Sequence, residues 1–188
     1  LGSEITGKVA EYFSNEFNII SGLAKGIDTA AHKGCLQNNK KKTIAVVTDV
    51  QNITPIENRE LADQIINSGG AIISENEPNI KTKPFHFIQR NRIQSGMSLG
   101  VFPIESDLES GTVHTVEFSK KQNKPIFCPD LDRVPNYPER NKEGKLIREL
   151  ISKHECIKFT NKNYDQVISK LNKELINDNE NISPKKIS

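Results

Sequence analysis

"FNIISGLAKGIDTAAHKGCLQNNKKKTIAVVT", residues 17–48, holds one complete structural unit. Residues 17–22 are a short β-branched apolar run stopped by Gly22, which reads as a strand. Residues 26–39 are alanine-bearing and helical in character, and residues 42–48 form a second apolar run. Two strands that are apolar throughout, joined through a helix, predict parallel pairing in a sheet covered on both faces.

The alternation continues in both directions. Upstream, residues 6–17 place Val9, Tyr12 and Phe13 at helical spacing. Downstream, residues 55–70 carry Ile56, Leu61, Ile65 and Ile66 and end at the pair Gly69–Gly70, a helix with a C-terminal stop. Strands are predicted over 71–75, 99–105, 124–128 and 156–160, and helices over 112–123, 143–154 and 164–176. Pro103 is awkward within 99–105, because proline donates nothing to a strand ladder. The pattern predicts an α/β fold: an extended Rossmann-like, doubly wound, mostly parallel sheet with helices on both faces. Residues 1–176 form the one expected domain. Residues 129–142, with three prolines, read as an irregular loop, and the polar stretch 177–188 is expected to be disordered.

Composition narrows the function classes. A chain of 188 residues with 35% hydrophobic content supports one ordinary core. The formal net charge is only +2, from 26 basic and 24 acidic residues, so any nucleic-acid role must come from local clustering. Cys35, Cys128 and Cys156 show no metal-ligand spacing, and their odd number suits a reducing cytoplasm. No segment has the apolar length of a membrane span.

In a parallel sheet the loops leaving the strands emerge along one edge, where ligands bind. Three segments there draw attention. "SGLAKGID" (21–28) turns from a strand into a helix N-terminus whose free N–H groups and dipole suit phosphate. "KTKPFHFIQRNR" (81–92) brings basic residues and two phenylalanines, and "ESGTVHT" (109–115) is a second small-residue turn into a helix. At each glycine turn the alternative is a tight connection that holds no ligand. Neither GxGxxG nor GxxxxGK[ST] occurs, which leaves a dinucleotide cofactor or a P-loop unsupported. His32, His86, His114 and His154 lack ligand spacing, so no catalytic residue, metal or cofactor is assigned, and the chain is expected not to be an enzyme.

Together, "SGLAKGIDTAAHKG" (21–34), "FIQRNRIQSGMS" (87–98) and "ESDLESGTVHTVEFSKKQNKPIFC" (105–128) resemble, in order and spacing, the signature blocks of the DNA-processing protein A (DprA/Smf) family. The resemblance covers residues 1–128 well and 129–160 loosely. It implies an extended Rossmann domain that binds single-stranded DNA, dimerises, and helps load the recombinase RecA in natural transformation. The phosphate pocket it implies comprises Ser21, Gly22, Lys25 and Gly26; Arg90, Asn91 and Arg92; and Ser110, Gly111 and Thr112. Lys83 adds charge, while Phe85 and Phe87 either stack bases or pack into the core.

Arg90 and Arg92 lie two apart, so on a helix they splay by about 200° and cannot both meet one phosphate. Arg90 is placed in the first turn or cap, facing DNA, and Arg92 is expected to pair with Glu75 or Glu105. Glu4, in "GSE", which corresponds to the end of the family's first strand, stands where the family's pattern has an arginine, and a carboxylate there would repel phosphate. The first strand is expected to be truncated, since the chain begins at Leu1. Two other readings compete: a nucleotide-binding or phosphoribohydrolase-like protein, and a non-catalytic scaffold domain. Against the first, "ESGTVHTVE" lacks the PGG and the following glutamate of a PGGxGTxxE motif.

Overall fold

The computed structural model describes residues 1–38, 40–134 and 142–182. The chain runs α1 (Gly2–Phe13), β1 (Ile19–Ser21), α2 (Ile27–Asn38), β2 (Thr43–Val46), α3 (Arg59–Asn67), β3 (Ala71–Ile73), α4 (Pro84–Gly96), α5 (Gly111–Lys121), β4 (Phe127–Pro129), α6 (Lys145–Ser152), β5 (Ile157–Phe159) and α7 (Tyr164–Ile182). Short 3-10 turns precede α3 and α6 and follow β4.

Among the described residues every ladder is parallel. β2 lies between β1 and β3, with Ile19 opposite Thr43, Ser21 opposite Ala45, and Val46 opposite Ile73. β4 and β5 pair separately, Cys128 opposite Lys158. Thr43, Ala45 and Val46 of the central strand have no exposed surface, as a strand covered on both faces requires. Ala45 and Val47 pack with Leu61, Ala62 and Ile65 of α3 and with Leu36 of α2.

The second sheet shows why a strand reads as continuously apolar. Phe127 points to a cluster with Val9 and Phe13 of α1, Phe159, and Val167 and Leu171 of α7. Its neighbours Ile126 and Cys128 point the other way, to Val116 of α5 and Leu146, Ile147 and Leu150 of α6. Successive side chains alternate faces, and helices cover both. The arrangement is the Rossmann-like α/β fold. α1 and α2 touch backbone to backbone: a Cβ on Gly34 would stand 2.3 Å from the Gly7 carbonyl oxygen.

Three expectations need correction. Residues 99–105 do not form a strand; Val101 alone makes a parallel bridge to Ile126, donating to Pro125 O at 2.9 Å and accepting from Phe127 N at 2.8 Å. Pro103 has no N–H to extend that ladder. Residues 177–182 are not disordered but continue α7. Lys170–Glu174 at 2.7 Å supports the helix, and Lys124 holds Asp178 at 2.6 Å. The rest of the expected tail, 183–188, and part of the expected loop, 135–141, lie outside the described residues. Finally, Gly2, Ser3 and Glu4 lie in the first turn of α1 and not at the end of a strand. Among the described residues no helix is long and apolar enough to cross a membrane, and no group of three metal-ligating side chains gathers.

Candidate nucleic-acid interface

The carboxyl ends of β1, β2 and β3 form the edge that carries the site. β1 ends at Ser21, whose hydroxyl donates to Asp28 Oδ1 at 2.8 Å, while the Ala24 N–H donates to Oδ2 at 3.1 Å. Asp28 lies in the first turn of α2, where a carboxylate is favoured by the helix dipole. The intervening turn uses two left-handed residues, Leu23 (φ 61°) and Gly26 (φ 83°). Glycine takes that conformation freely, whereas Leu23 is held in it by complete burial and by Asn58, which donates from Nδ2 to the Leu23 carbonyl at 2.8 Å. The same nitrogen donates to Thr29 Oγ1 at 2.9 Å.

Pro84 opens α4, a position that suits proline because its missing N–H has no helical partner. Arg90 is therefore the seventh residue of the helix and not part of its first turn or cap. Its side chain points inward and is 7% exposed. Nη1 donates to the carbonyls of Gly22, at 2.7 Å, and of Val46, so one guanidinium bridges the ends of β1 and β2. Nε donates to Asn91 Oδ1 at 3.0 Å, and Asn91 Nδ2 donates to Gly111 O at 3.0 Å. This pair joins the segments that begin at Ser21, Phe87 and Glu109. Burial lowers the Arg90 pKa, and Asp28 partly offsets the effect; an arginine remains charged regardless.

Arg92 leaves the opposite side of α4, with its side chain 48% exposed and paired with Glu75 just after β3. That is one of its two expected partners. Lys25 pairs with Glu57 at 2.5 Å on the exposed rim. Ser110 is the N-cap of α5 in extended conformation and makes no side-chain cap bond; its hydroxyl meets Ser106 instead. Gly111 is exposed and Thr112 partly so, which leaves the positive end of an eleven-residue helix facing the site.

The structure thus brings Gly22, Arg90, Asn91 and Gly111 into direct contact, with Ser21, Lys25, Gly26, Arg92, Ser110 and Thr112 on the same segments. Lys83, Phe85 and Phe87 stand at the start of α4, with Lys83 about 10 Å from Arg90 along the helix at its rise of about 1.5 Å per residue. Lys83 is exposed, and its backbone N–H donates to His86 Nδ1 at 3.0 Å. Phe85 is 47% exposed with its ring against His86, and Phe87 is half-buried outside the three core clusters. Glu4 is exposed and paired with Lys8 at 2.7 Å, which holds its carboxyl below the usual range.

Two supporting residues escaped the sequence reading. Asn58 shows only the weak signal of a capping-type residue ahead of an apolar run. Asp49 is buried and accepts from Gln51 N at 2.9 Å, Asn52 Nδ2 at 2.9 Å and Asn79 N at 3.0 Å. It ties the loop after β2 to the loop after β3. His32, by contrast, is fully buried; its Nδ1 meets Thr43 Oγ1 at 2.6 Å, and burial lowers its pKa to about 4.

Known proteins share this fold. The family model for DNA recombination-mediator protein A matches residues 1–172. The chain is 38% identical over 127 residues to the DNA processing protein DprA of Streptococcus pneumoniae, covering 68% of this chain and 45% of that protein. It is 36% identical over 118 residues to the protein Smf of Borreliella burgdorferi, covering 63% and 38%. The chain therefore spans less than half the length of either relative. The X-ray structure of the Streptococcus pneumoniae protein superposes with a TM-score of 0.71 at 33% identity, over 85% of this chain and 53% of that one. DNA processing protein A of Helicobacter pylori shares the fold, with a TM-score of 0.74 at 24% identity over 90% and 74%. By its sequence blocks, its fold and the match over residues 1–172, the chain belongs to the DNA recombination-mediator protein A family, the DprA/Smf proteins.

Proposed function

We propose that this chain binds single-stranded DNA without sequence preference along the carboxyl edge of its first sheet. The observation that carries the reading is the Arg90–Asn91 junction, which holds the turn at Gly22 and the start of α5 at one place. Two helix N-termini then face the same edge, and Lys25 and Arg92, ion-paired with Glu57 and Glu75 on its rim, can exchange those carboxylates for backbone phosphate. Among the described residues no element is patterned to read base edges, so contacts to phosphate and stacking on an exposed ring such as Phe85 account for the binding. The Helicobacter pylori relative is described with a single-stranded DNA binding mode, and family membership extends that expectation here.

The role is binding and not turnover. The wider reading, resting on the family alone, is a cytoplasmic homodimer that assists RecA loading during recombination and natural transformation. Fluorescence anisotropy of labelled oligodeoxythymidylate, titrated at several salt concentrations beside duplex DNA, tests the proposal. A preference for the single strand and a linear fall of log K with log salt are expected. A nucleotide-induced thermal shift without oligonucleotide binding would favour a nucleotide-binding role, and no ligand response at all would favour a scaffold.

A further inference from the structure

The second sheet carries two cysteines that the DNA-facing edge does not use. Cys128 is the middle residue of β4, and Cys156 immediately precedes β5. The register sets Cys128 opposite Lys158, so Cys156, two residues before Lys158, projects to the same face of the sheet. Both side chains enter the cluster lined by Val116, Ile126, Leu146 and Ile147. The two thiols perturb each other's ionisation, and neither is oxidised. Their access to solvent differs: Cys128 has none, while Cys156 is partly open. Cys35 belongs elsewhere, buried in α2 with its thiol near the Lys41 carbonyl at 3.7 Å.

From this geometry we infer that Cys128 and Cys156 form a reversible intramolecular disulfide when the protein meets a hydroperoxide, making the β4–β5 pair a redox modification site. Proximity on one face supplies the partner, and unequal exposure sets the order of events. Cys156 reacts first because it alone is reachable. The neighbouring Cys128 thiol and the charge of Lys158 hold its thiol below the ordinary range, against opposition from burial and Glu155. The neighbouring Cys156, together with burial, pushes the Cys128 thiol up and keeps its proton in place.

The Cys156 thiolate attacks one peroxide oxygen, forming an S–O bond and breaking the O–O bond. The displaced oxide takes up a proton and leaves as an alcohol, or as water when the oxidant is hydrogen peroxide. The Cys128 sulphur then attacks the Cys156 sulphur; the S–S bond forms, the S–O bond breaks, and the hydroxyl departs as water with the Cys128 proton. The two sulphurs lose two electrons in total, and the O–O bond accepts them. A thiol reductant reverses the change. The new link closes the segment containing α6 onto the sheet, which constrains the unfolded chain more than the folded one.

The test is a peptide map without reduction, made on the full chain before and after hydrogen peroxide. The expected result is an intact mass lower by two hydrogens, a joined peptide pair containing Cys128 and Cys156, a raised melting temperature, and full reversal by dithiothreitol. In Cys128→Ser the reaction should stop at a Cys156 sulfenic acid that dimedone traps, and in Cys156→Ser the buried Cys128 should stay unmodified. The inference is overturned if the parent gives Cys156 sulfinic acid without a cross-link, dimers joined through Cys156, a link to Cys35, or no reaction where free cysteine oxidises. Because the parent alone decides these outcomes, a variant that fails to fold does not protect the inference.

Discussion

Arg90 and Gly22 depend on each other: Nη1 of Arg90 donates to the Gly22 carbonyl at 2.7 Å, and a Cβ at position 22 would stand 2.2 Å from that same nitrogen. The guanidinium occupies the volume that any larger residue would need. Gly22→Ala should therefore displace Arg90 and cost about 1–3 kcal/mol through the carbonyls left unpaired. In a double-mutant cycle with Arg90→Ala the two losses should be far from additive, because both remove one interaction. Urea denaturation of the four proteins measures this, and additive losses would show that the contact carries no energy.

Arg90 and Arg92 should separate cleanly into a stability role and a binding role. Arg90→Ala strips donors from the Gly22 and Val46 carbonyls at the sheet edge and should cost about 2–3 kcal/mol of stability. Arg92→Ala removes a half-exposed ion pair, worth at most about 1 kcal/mol. The same change should weaken single-stranded DNA binding and lower the salt slope by about one. Thermal melts beside anisotropy titrations check the pair; a stable Arg90→Ala protein would contradict the clamp.

Asn58 should prove a supporting residue of the first turn. Its amide donates to Leu23 O and Thr29 Oγ1 from a buried position, and a carboxylate cannot donate. Asn58→Asp should thus destabilise more than Asn58→Ala, whose cost is about 1–3 kcal/mol. The order of the two urea midpoints is the readout.

Two groups should give acid denaturation distinct steps. His32 is neutral when buried, with its pKa lowered from 6.5 to about 4. Its contribution is complete above pH 6.5 and is lost as the pH falls from there towards 4, about 3 kcal/mol in all by linkage. His32→Gln should flatten stability across that window. Asp49 is also lowered, from an ordinary 3.8, first by the Asn52 amide and then by backbone N–H groups. Its contribution is present above pH 3.8 and disappears only below it, so Asp49→Asn should alter the profile at the acid end. Urea midpoints measured from pH 7 to pH 3 resolve the two windows.

Gly34 should tolerate no side chain. A Cβ there meets the Gly7 carbonyl oxygen at 2.3 Å, a backbone atom that cannot swing aside as a side chain can. Gly34→Ala should cost about 1–3 kcal/mol by forcing α1 and α2 apart, read as a lowered melting temperature.

The alternation of strands and helices was legible because periodicity is local: residues 17–48 carry the pattern of a βαβ unit whatever surrounds them. The three glycine- and arginine-bearing blocks were legible for a related reason, since each needs its residue types at fixed short spacing. Which arginine lies inside was not. Two residues apart on a helix, Arg90 and Arg92 must diverge, but the phase that turns Arg90 inward is set by where Pro84 starts α4 and how α4 lies on β1 and β2. The failed strand at 99–105 has the same origin. Its residues are apolar enough, yet a ladder needs a neighbour's carbonyls and an N–H at position 103, and only the packed sheet shows that one bridge is all Val101 obtains. The meeting of Cys128 with Cys156 is likewise invisible at a separation of 28 residues. Local spacing decides what each segment becomes; strand register and helix phase, fixed by burial of the whole core, decide which of its side chains meet.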